Sequence, residues 1–160
     1  MARKILIPLD GSKLGETGLH HVETLVQEKK DEEVTLLHVF IPPMPRIESG
    51  FAITLDIPLT EEELAPIKNK AMAYLEKSAE ILRDKGLDVK CKVVIGKGGL
   101  SSAEEIIRVE DEIGADLIVM STHGRRGLSK WAFGSVTEKV LRAGKAPVLV
   151  VRAGIGPKKQ

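Results

Sequence analysis

Short apolar runs alternate with amphipathic segments along the chain, and this alternation predicts its secondary structure. Compact runs rich in Ile, Leu and Val have the length of buried strands and lie at 4–8, 33–40, 88–95, 116–120 and 147–151. The segments between them carry apolar residues at helical spacing. Strands that alternate with helices favour an α/β fold in which helices cover both faces of a parallel sheet.

Hydroxyl and acidic residues mark where the helices are predicted to begin. Thr60 with Glu63 predicts a capping box, although Pro66 indicates a later start for that helix. Ser135 with Glu138 predicts a second capping box, at the start of the last helix. The first helix is expected to turn one face to the core, formed by Leu14, Gly18, Val22, Leu25 and Val26.

The chain is predicted to form one domain over residues 1–154. Four prolines and a glycine interrupt the periodicity over 41–60, which predicts a long flexible loop. Residues 155–160 are expected to be a frayed tail.

Composition narrows the class of protein. A hydrophobic fraction of 42% and a charged fraction of 29% are typical of a globular domain. A net charge of +1 and an aromatic content of 3% argue against nucleic acid or membrane partners. The single cysteine fits a reducing compartment, and no apolar run reaches the length of a membrane span. We therefore expect a soluble cytoplasmic protein.

The order of the strands predicts where a ligand binds. In an open parallel sheet, ligands bind beyond the carboxyl ends of the strands, where the strand order reverses. Five βα units favour the order 3-2-1-4-5, so strands one and four flank the crevice. Two loops then meet there, formed by Pro8, Leu9 and Asp10 and by Ser121, Thr122, His123 and Gly124. An acid at this position, Asp10, suits ribose hydroxyls.

The segment between the fourth strand and the last helix is typical of a phosphate site. It contains Gly124, Gly127 and Gly134, which allow an anion to approach the main chain, and it ends at a helix N-terminus. Arg125 and Arg126 could add charge-assisted hydrogen bonds. The plain alternatives are a flexible connection and a solvated arginine pair. No Cys/His cluster has zinc spacing, so no metal site is predicted.

Four stretches together resemble the universal stress protein family: KILIPLDGS, LLHV, ADLIVMSTHGRRGLSKWAFGSV and KAPVLVV. The ATP-binding members of that family carry Gly, two residues, Gly, nine residues, then Gly-Ser or Gly-Thr. Gly124 occupies the second glycine position, and Gly134 and Ser135 close the motif after an intact spacer. Ser121 stands at the first glycine position, where its side chain could narrow the ribose or phosphate site.

The resemblance implies a Rossmann-like, adenine nucleotide alpha hydrolase-like fold and a regulatory role in the stress response. It implies that ATP, or ADP or AMP, is bound, with Mg²⁺. The adenine would lie on the backbone around Pro8 and Val39, and the ribose on Asp10. The remaining contacts would come from Met120, Ser121 and Gly124 for the ribose and first phosphate, and from Gly134, Ser135, Val136 and Thr137 for the outer phosphates. Members of the family form homodimers, here expected through the fifth strand, Pro147–Val151.

Two other functions remain open at this point. Slow ATP hydrolysis or phosphoryl transfer would use Arg125, Arg126 or His123, but the sequence offers no convincing carboxylate to orient the nucleophile. A nucleotide-free interaction dimer is favoured by Ser121, the one departure from the motif.

Overall fold

The computed structural model describes residues 2–12, 16–26, 31–43, 59–97, 99–122 and 134–152. Most of the predicted loop 41–60 and all of the predicted tail 155–160 lie outside these ranges. The described elements alternate strictly, as the apolar pattern predicted. In chain order they are β1 (Arg3–Pro8), α1 (Glu16–Val26), β2 (Glu32–Phe40), α2 (Glu61–Arg83), β3 (Asp88–Ile95), α3 (Ser102–Ile113), β4 (Leu117–Thr122), α4 (Ser135–Ala143) and β5 (Val148–Arg152).

The five strands form one parallel sheet in the order β3-β2-β1-β4-β5, which confirms the predicted topology. The central strand β1 pairs with β2 along its whole length and with β4 on its other side, so that Ile5 lies between Val34 and Leu117. The strand order reverses between β1 and β4. Because all strands are parallel, their carboxyl ends lie at one edge of the sheet.

Two hydrophobic clusters, one on each face of the sheet, hold the layers together. On one face α1 and α2 bury Leu19, Val22, Leu75, Ala79 and Leu82 against the sheet. On the other face α3 and α4 bury Ala103, Ile106, Val109 and Val140. Adjacent residues of a strand point to opposite faces, so each strand supplies side chains to both clusters. Leu36 belongs to the first cluster and Leu37 to the second.

The capping box predicted for α2 is confirmed, but the later start predicted from Pro66 is wrong. The Thr60 hydroxyl accepts from the Glu63 amide, and the Glu63 carboxylate accepts from the Thr60 amide at 2.8 Å. α2 begins at Glu61 and contains Pro66, which lies on its exposed side. Proline removes one intrahelical donor there, and the helix tolerates this loss because water solvates that face.

Two other helix predictions need correction. Glu138 does not form a capping box with Ser135, because α4 begins one residue earlier than the box requires, with Gly134 as its N-cap. The Glu138 carboxylate instead accepts from Arg142 one turn later, at 2.6 Å. In α1, Leu25 is 51% exposed. The buried stripe of this helix runs through Leu19 and Val22, and Leu25 lies beside that stripe in the last turn.

Among the residues that the structure describes, no helix combines the length and apolar character of a membrane span.

Candidate functional site

The point between β1 and β4 where the strand order reverses is called the switch point below. The main chain of Leu9 fixes the first of its two loops to the sheet. Its amide donates to the Leu37 carbonyl at 2.8 Å, which continues the pairing of β1 with β2 for one residue beyond Pro8. The Leu9 side chain is 3% exposed and packs in the cluster under α1 and α2. The sequence suggested Leu9 as a ligand contact. Its geometry is that of an anchor, which fixes the direction in which the chain leaves the sheet.

His38 contacts the same loop, and the sequence reasoning did not identify it as part of the site. Its Nδ1 lies 2.9 Å from the Leu9 carbonyl oxygen. A carbonyl only accepts, so Nδ1 carries the proton in this contact. The Tyr74 ring from α2 meets the imidazole edge-on, with centroids 6.4 Å apart. One signal was available in the sequence: a histidine within the apolar second half of the strand, near the end that adjoins the predicted crevice.

Asp10 follows this anchor and has a defined orientation. Its Oδ1 accepts from the Ser12 amide at 2.9 Å and from the Ser12 hydroxyl at 2.5 Å. Gly11 between them has φ +84°, a backbone conformation that residues with a Cβ rarely adopt. Asp10 itself is exposed at the carboxyl end of β1. The turn therefore presents a carboxylate to solvent at the point where the strand order reverses.

Ser121 and Thr122, two of the four residues predicted to follow the fourth strand in the crevice, belong to β4 itself. β4 extends to Thr122, two residues further than the apolar run indicated, and Ser121 pairs with Val151. Met120 is buried in the cluster under α3 and α4, and Val39 of β2 packs against the same cluster. Met120 can therefore offer little besides main-chain atoms to a ligand above the sheet edge, whereas the Val39 side chain is half-buried. Ser121 is half-buried and Thr122 is buried.

The N-terminus of α4 has the local geometry of an anion-binding site. Gly134, the N-cap, has φ 82° and ψ 147° and no side-chain capping bond. The first intrahelical bond runs from the Glu138 amide to the Gly134 carbonyl at 3.0 Å, so the amides of the first three helical residues have no intrahelical acceptor. Those residues are Ser135, Val136 and Thr137. Ser135 and Val136 are exposed, whereas the Thr137 side chain is buried.

The fold brings the predicted contacts of β1, β2 and β4 to one edge of the sheet, and the helix that follows β4 begins at that edge. The group fits an anionic ligand there, because main-chain donors without a partner among the described residues lie beyond the strand ends, and a glycine precedes them. The rest of the predicted phosphate loop lies outside the described residues: His123, Gly124, Arg125 and Arg126.

Other reactive groups in the described residues do not converge on this edge. Burial is the main cause that raises the pKa of the Cys91 thiol to about 11, so the thiolate is scarce at neutral pH. No group of three or more His, Cys, Asp or Glu side chains in the described ranges is arranged to hold a metal ion.

Comparison with known proteins identifies the family. A sequence model of the universal stress protein family matches residues 1–152. Universal stress protein MJ0577 of Methanocaldococcus jannaschii is 35% identical over 160 aligned residues, which cover 95% of this chain and 96% of that protein. Its solved structure has a TM-score of 0.69 to this chain at 32% identity, and the match covers 98% of this chain and 99% of that one.

Two further solved structures share the fold. A universal stress protein in complex with cAMP has a TM-score of 0.64 at 19% identity and covers 94% of this chain and 97% of its own. A universal stress protein family protein from Arabidopsis thaliana with AMP bound has a TM-score of 0.64 at 15% identity, covering 96% and 93%. The family match over residues 1–152 and the 35% identity across nearly all of both sequences agree, and the chain belongs to the universal stress protein family.

Proposed function

We propose that this protein binds an adenine nucleotide, ATP in the first instance, at the switch point between β1 and β4. The observation that carries the proposal is the N-terminus of α4, where three main-chain donors follow a glycine and no side chain of the described chain caps them. A phosphate group supplies the negative charge and the acceptors that such a helix end favours. The cAMP and AMP complexes of proteins with this fold support an adenine nucleotide in particular.

Each part of the nucleotide has a candidate partner in the proposal. The adenine lies against the main chain around Pro8 and Val39, and the Asp10 carboxylate accepts from the ribose hydroxyls. Met120, Ser121 and Thr122 border the ribose and the first phosphate. The outer phosphates rest on the amides of Ser135, Val136 and Thr137 beside Gly134. Gly124, His123, Arg125 and Arg126 complete the phosphate loop, and Mg²⁺ accompanies the phosphates.

The proposed role of the bound nucleotide is regulatory. A ligand that binds only the folded state stabilises it by mass action and shifts the population of any segment that it orders. We propose that the protein acts as a homodimer through β5 in a stress response. Binding is favoured over catalysis, because phosphoryl transfer also needs a group that orients the nucleophile, and the described site offers no carboxylate besides Asp10 beyond the strand ends.

The proposal is tested by calorimetric titration of Mg-ATP into nucleotide-free protein and into Gly134→Asp. The parent is expected to bind saturably, and Gly134→Asp is expected to bind at least about 100-fold more weakly, because a carboxylate at the N-cap repels phosphate and occupies the helix donors. Gly134 also has a backbone conformation that is nearly exclusive to glycine, so the substitution adds strain.

Gly86→Asp is the matched control for that strain. Gly86 also has positive φ, +85°, and open space where a Cβ would lie, but it belongs to the turn between α2 and β3. Gly86→Asp should lose stability and keep the parent affinity for Mg-ATP. The proposal fails if the parent shows no saturable binding, or if Gly134→Asp and Gly86→Asp bind equally well.

A further inference from the structure

An open groove of about 510 Å³ lies away from the switch point, beside the edge strand β3. Val93, Val94 and Ile95 at the end of β3 form its floor. Its walls come from α2, from the turn before α3 and from α3 itself. The wall residues are Lys68, Lys97, Leu100, Glu105 and Arg108.

The groove runs along the outer edge of β3 rather than over one face of the sheet. Val93 packs with the cluster under α2, and Val94 belongs to the cluster under α3, so the two side chains point to opposite faces. A cavity that touches both, and that touches residues of both helices, crosses the strand at its edge. Among the described residues β3 has a strand neighbour on one side only, β2.

The backbone groups of β3 that point into this groove follow from the ladder. The Gly96 amide donates to the Phe40 carbonyl at 2.8 Å, and Phe40 is the register partner of Ile95. In a parallel pair this arrangement directs the N–H and C=O of Ile95 away from β2, and those of Val93 likewise. Two residues therefore present a donor and an acceptor each toward the groove.

This half of the edge carries none of the charged side chains that commonly protect exposed strands. Lys90 and Lys92 lie in the first half of β3, where their ammonium groups pair with Glu33 and Glu112. The second half, from Val93 onward, is apolar. Among the described residues this half-edge has no strand neighbour and no charged side chain of its own, and an edge of this kind between two side walls can accept an added strand.

The walls favour an acidic occupant. Three cations face one carboxylate, and that carboxylate, Glu105, is already neutralised by Arg108 at 2.8 Å. The Lys68 ammonium pairs with Glu61 at 3.4 Å, an exposed contact of little energy. Lys97 is exposed and forms no ion pair within the described chain. Two lysines from different elements thus flank the edge of β3 that pairs with no described strand.

We propose that the outer edge of β3 is a docking site for an extended acidic segment of a partner protein. The segment adds a strand beside Val93–Ile95 by main-chain hydrogen bonds and places its carboxylates between Lys68 and Lys97. The site is separate from the switch point and does not depend on nucleotide binding.

The test uses the full chain and fluorescence anisotropy with a short labelled peptide in which glutamate alternates with valine. Saturable binding that weakens with added salt is expected. Lys97→Glu should weaken it about tenfold, since a like charge replaces an attractive one, whereas Lys77→Glu on the exposed side of α2 should leave it unchanged. Ile95→Pro removes a donor that faces the groove and keeps the β2 ladder, and it should weaken binding about three- to tenfold.

A second peptide separates strand addition from attraction between charges. The same sequence with all amide nitrogens methylated keeps its carboxylates but cannot donate to a strand, and it should not bind. Equal binding of the two peptides would overturn the proposal. Displacement of the labelled peptide by inorganic phosphate or Mg-ATP, added at the same total negative charge as the peptide, would also overturn it. The proposal would also be overturned if the parent showed no saturable binding while its thermal unfolding, equal to that of Lys77→Glu, showed that it was folded.

Discussion

At the residue scale, Glu110 shows how one buried side chain holds the passage from α4 to β5. It is 3% exposed, and its Oε1 accepts from the Lys145 amide at 2.7 Å and from the Ala146 amide. Gly144 precedes these amides, and a Cβ there would lie 2.7 Å from the Val140 carbonyl oxygen and 3.0 Å from Glu110 Oε2. The glycine therefore lets the turn close over the carboxylate, which fixes the start of β5.

Glu110→Ala is expected to lower the free energy of unfolding by about 3 kcal/mol, because two main-chain donors lose their acceptor in a buried site. Urea denaturation with an unchanged slope measures the loss. Asp111→Ala is the matched control, since Asp111 pairs with Lys145 at the surface and should change stability by less than about 0.5 kcal/mol. Similar losses in both variants would show that Glu110 does not hold the turn.

At the scale of elements, the same pattern of hydroxyl, two residues and glutamate gives different results at different helices. Thr60 and Ser101 adopt extended conformations and complete capping boxes with the glutamates three residues later. Ser135 has the same spacing to Glu138 but becomes the first helical residue, because Gly134 takes the N-cap. Sequence spacing alone leaves a helix start uncertain by a residue, and here that residue decides whether the helix amides are capped.

The capping box of α3 predicts a dependence of stability on pH. The Ser101 amide, then the Ser101 hydroxyl and the Lys139 ammonium, lower the pKa of Glu104 to about 2. An unfolded glutamate titrates near pH 4.3. A group whose pKa is depressed by folding contributes stability that is complete above the unfolded pKa and is lost as the pH falls through the folded one.

The difference in Tm between the parent and Glu104→Ala should therefore be largest above about pH 5 and should shrink as the pH approaches about 2. Differential scanning calorimetry across that window measures it. Glu62→Ala, in the exposed first turn of α2, serves as the control and should show a small difference at every pH. A Tm difference for Glu104→Ala that does not change with pH would contradict the assignment.

At the scale of the whole molecule, the apolar pattern was sufficient for the topology and insufficient for the site. Five buried runs separated by helical segments leave few right-handed arrangements, and the order β3-β2-β1-β4-β5 is the predicted one. The site depends on finer contacts. His38 reaches Leu9 only because β2 and β1 are in register, and long-range register is not encoded in the local spacing of either strand. The residues of the predicted phosphate loop between β4 and α4 stay predictions.

The proposed homodimer depends on the opposite edge of the sheet. Among the described strands, β5 pairs only with β4, and Val148, Leu149 and Val150 are half-exposed. The Ile118 amide donates to the Pro147 carbonyl at 2.9 Å, and Ile118 is the register partner of Val148. The backbone groups of Val148 and Val150 therefore point away from β4. An apolar edge with outward donors favours pairing with a second copy.

Val150→Pro removes one outward donor and leaves the pairing of β5 with β4 intact, because proline is tolerated where its nitrogen faces away from the ladder. Light scattering should give a mass near twice 17.4 kDa for the parent and near 17.4 kDa for Val150→Pro. Ile95→Pro on the β3 edge is the reciprocal control and should keep the parent mass. Conversely, Val150→Pro should keep the affinity for the acidic peptide. If both proline variants have the parent mass, β5 is not the interface; if both are monomeric, proline has acted through the stability of the sheet rather than through either edge.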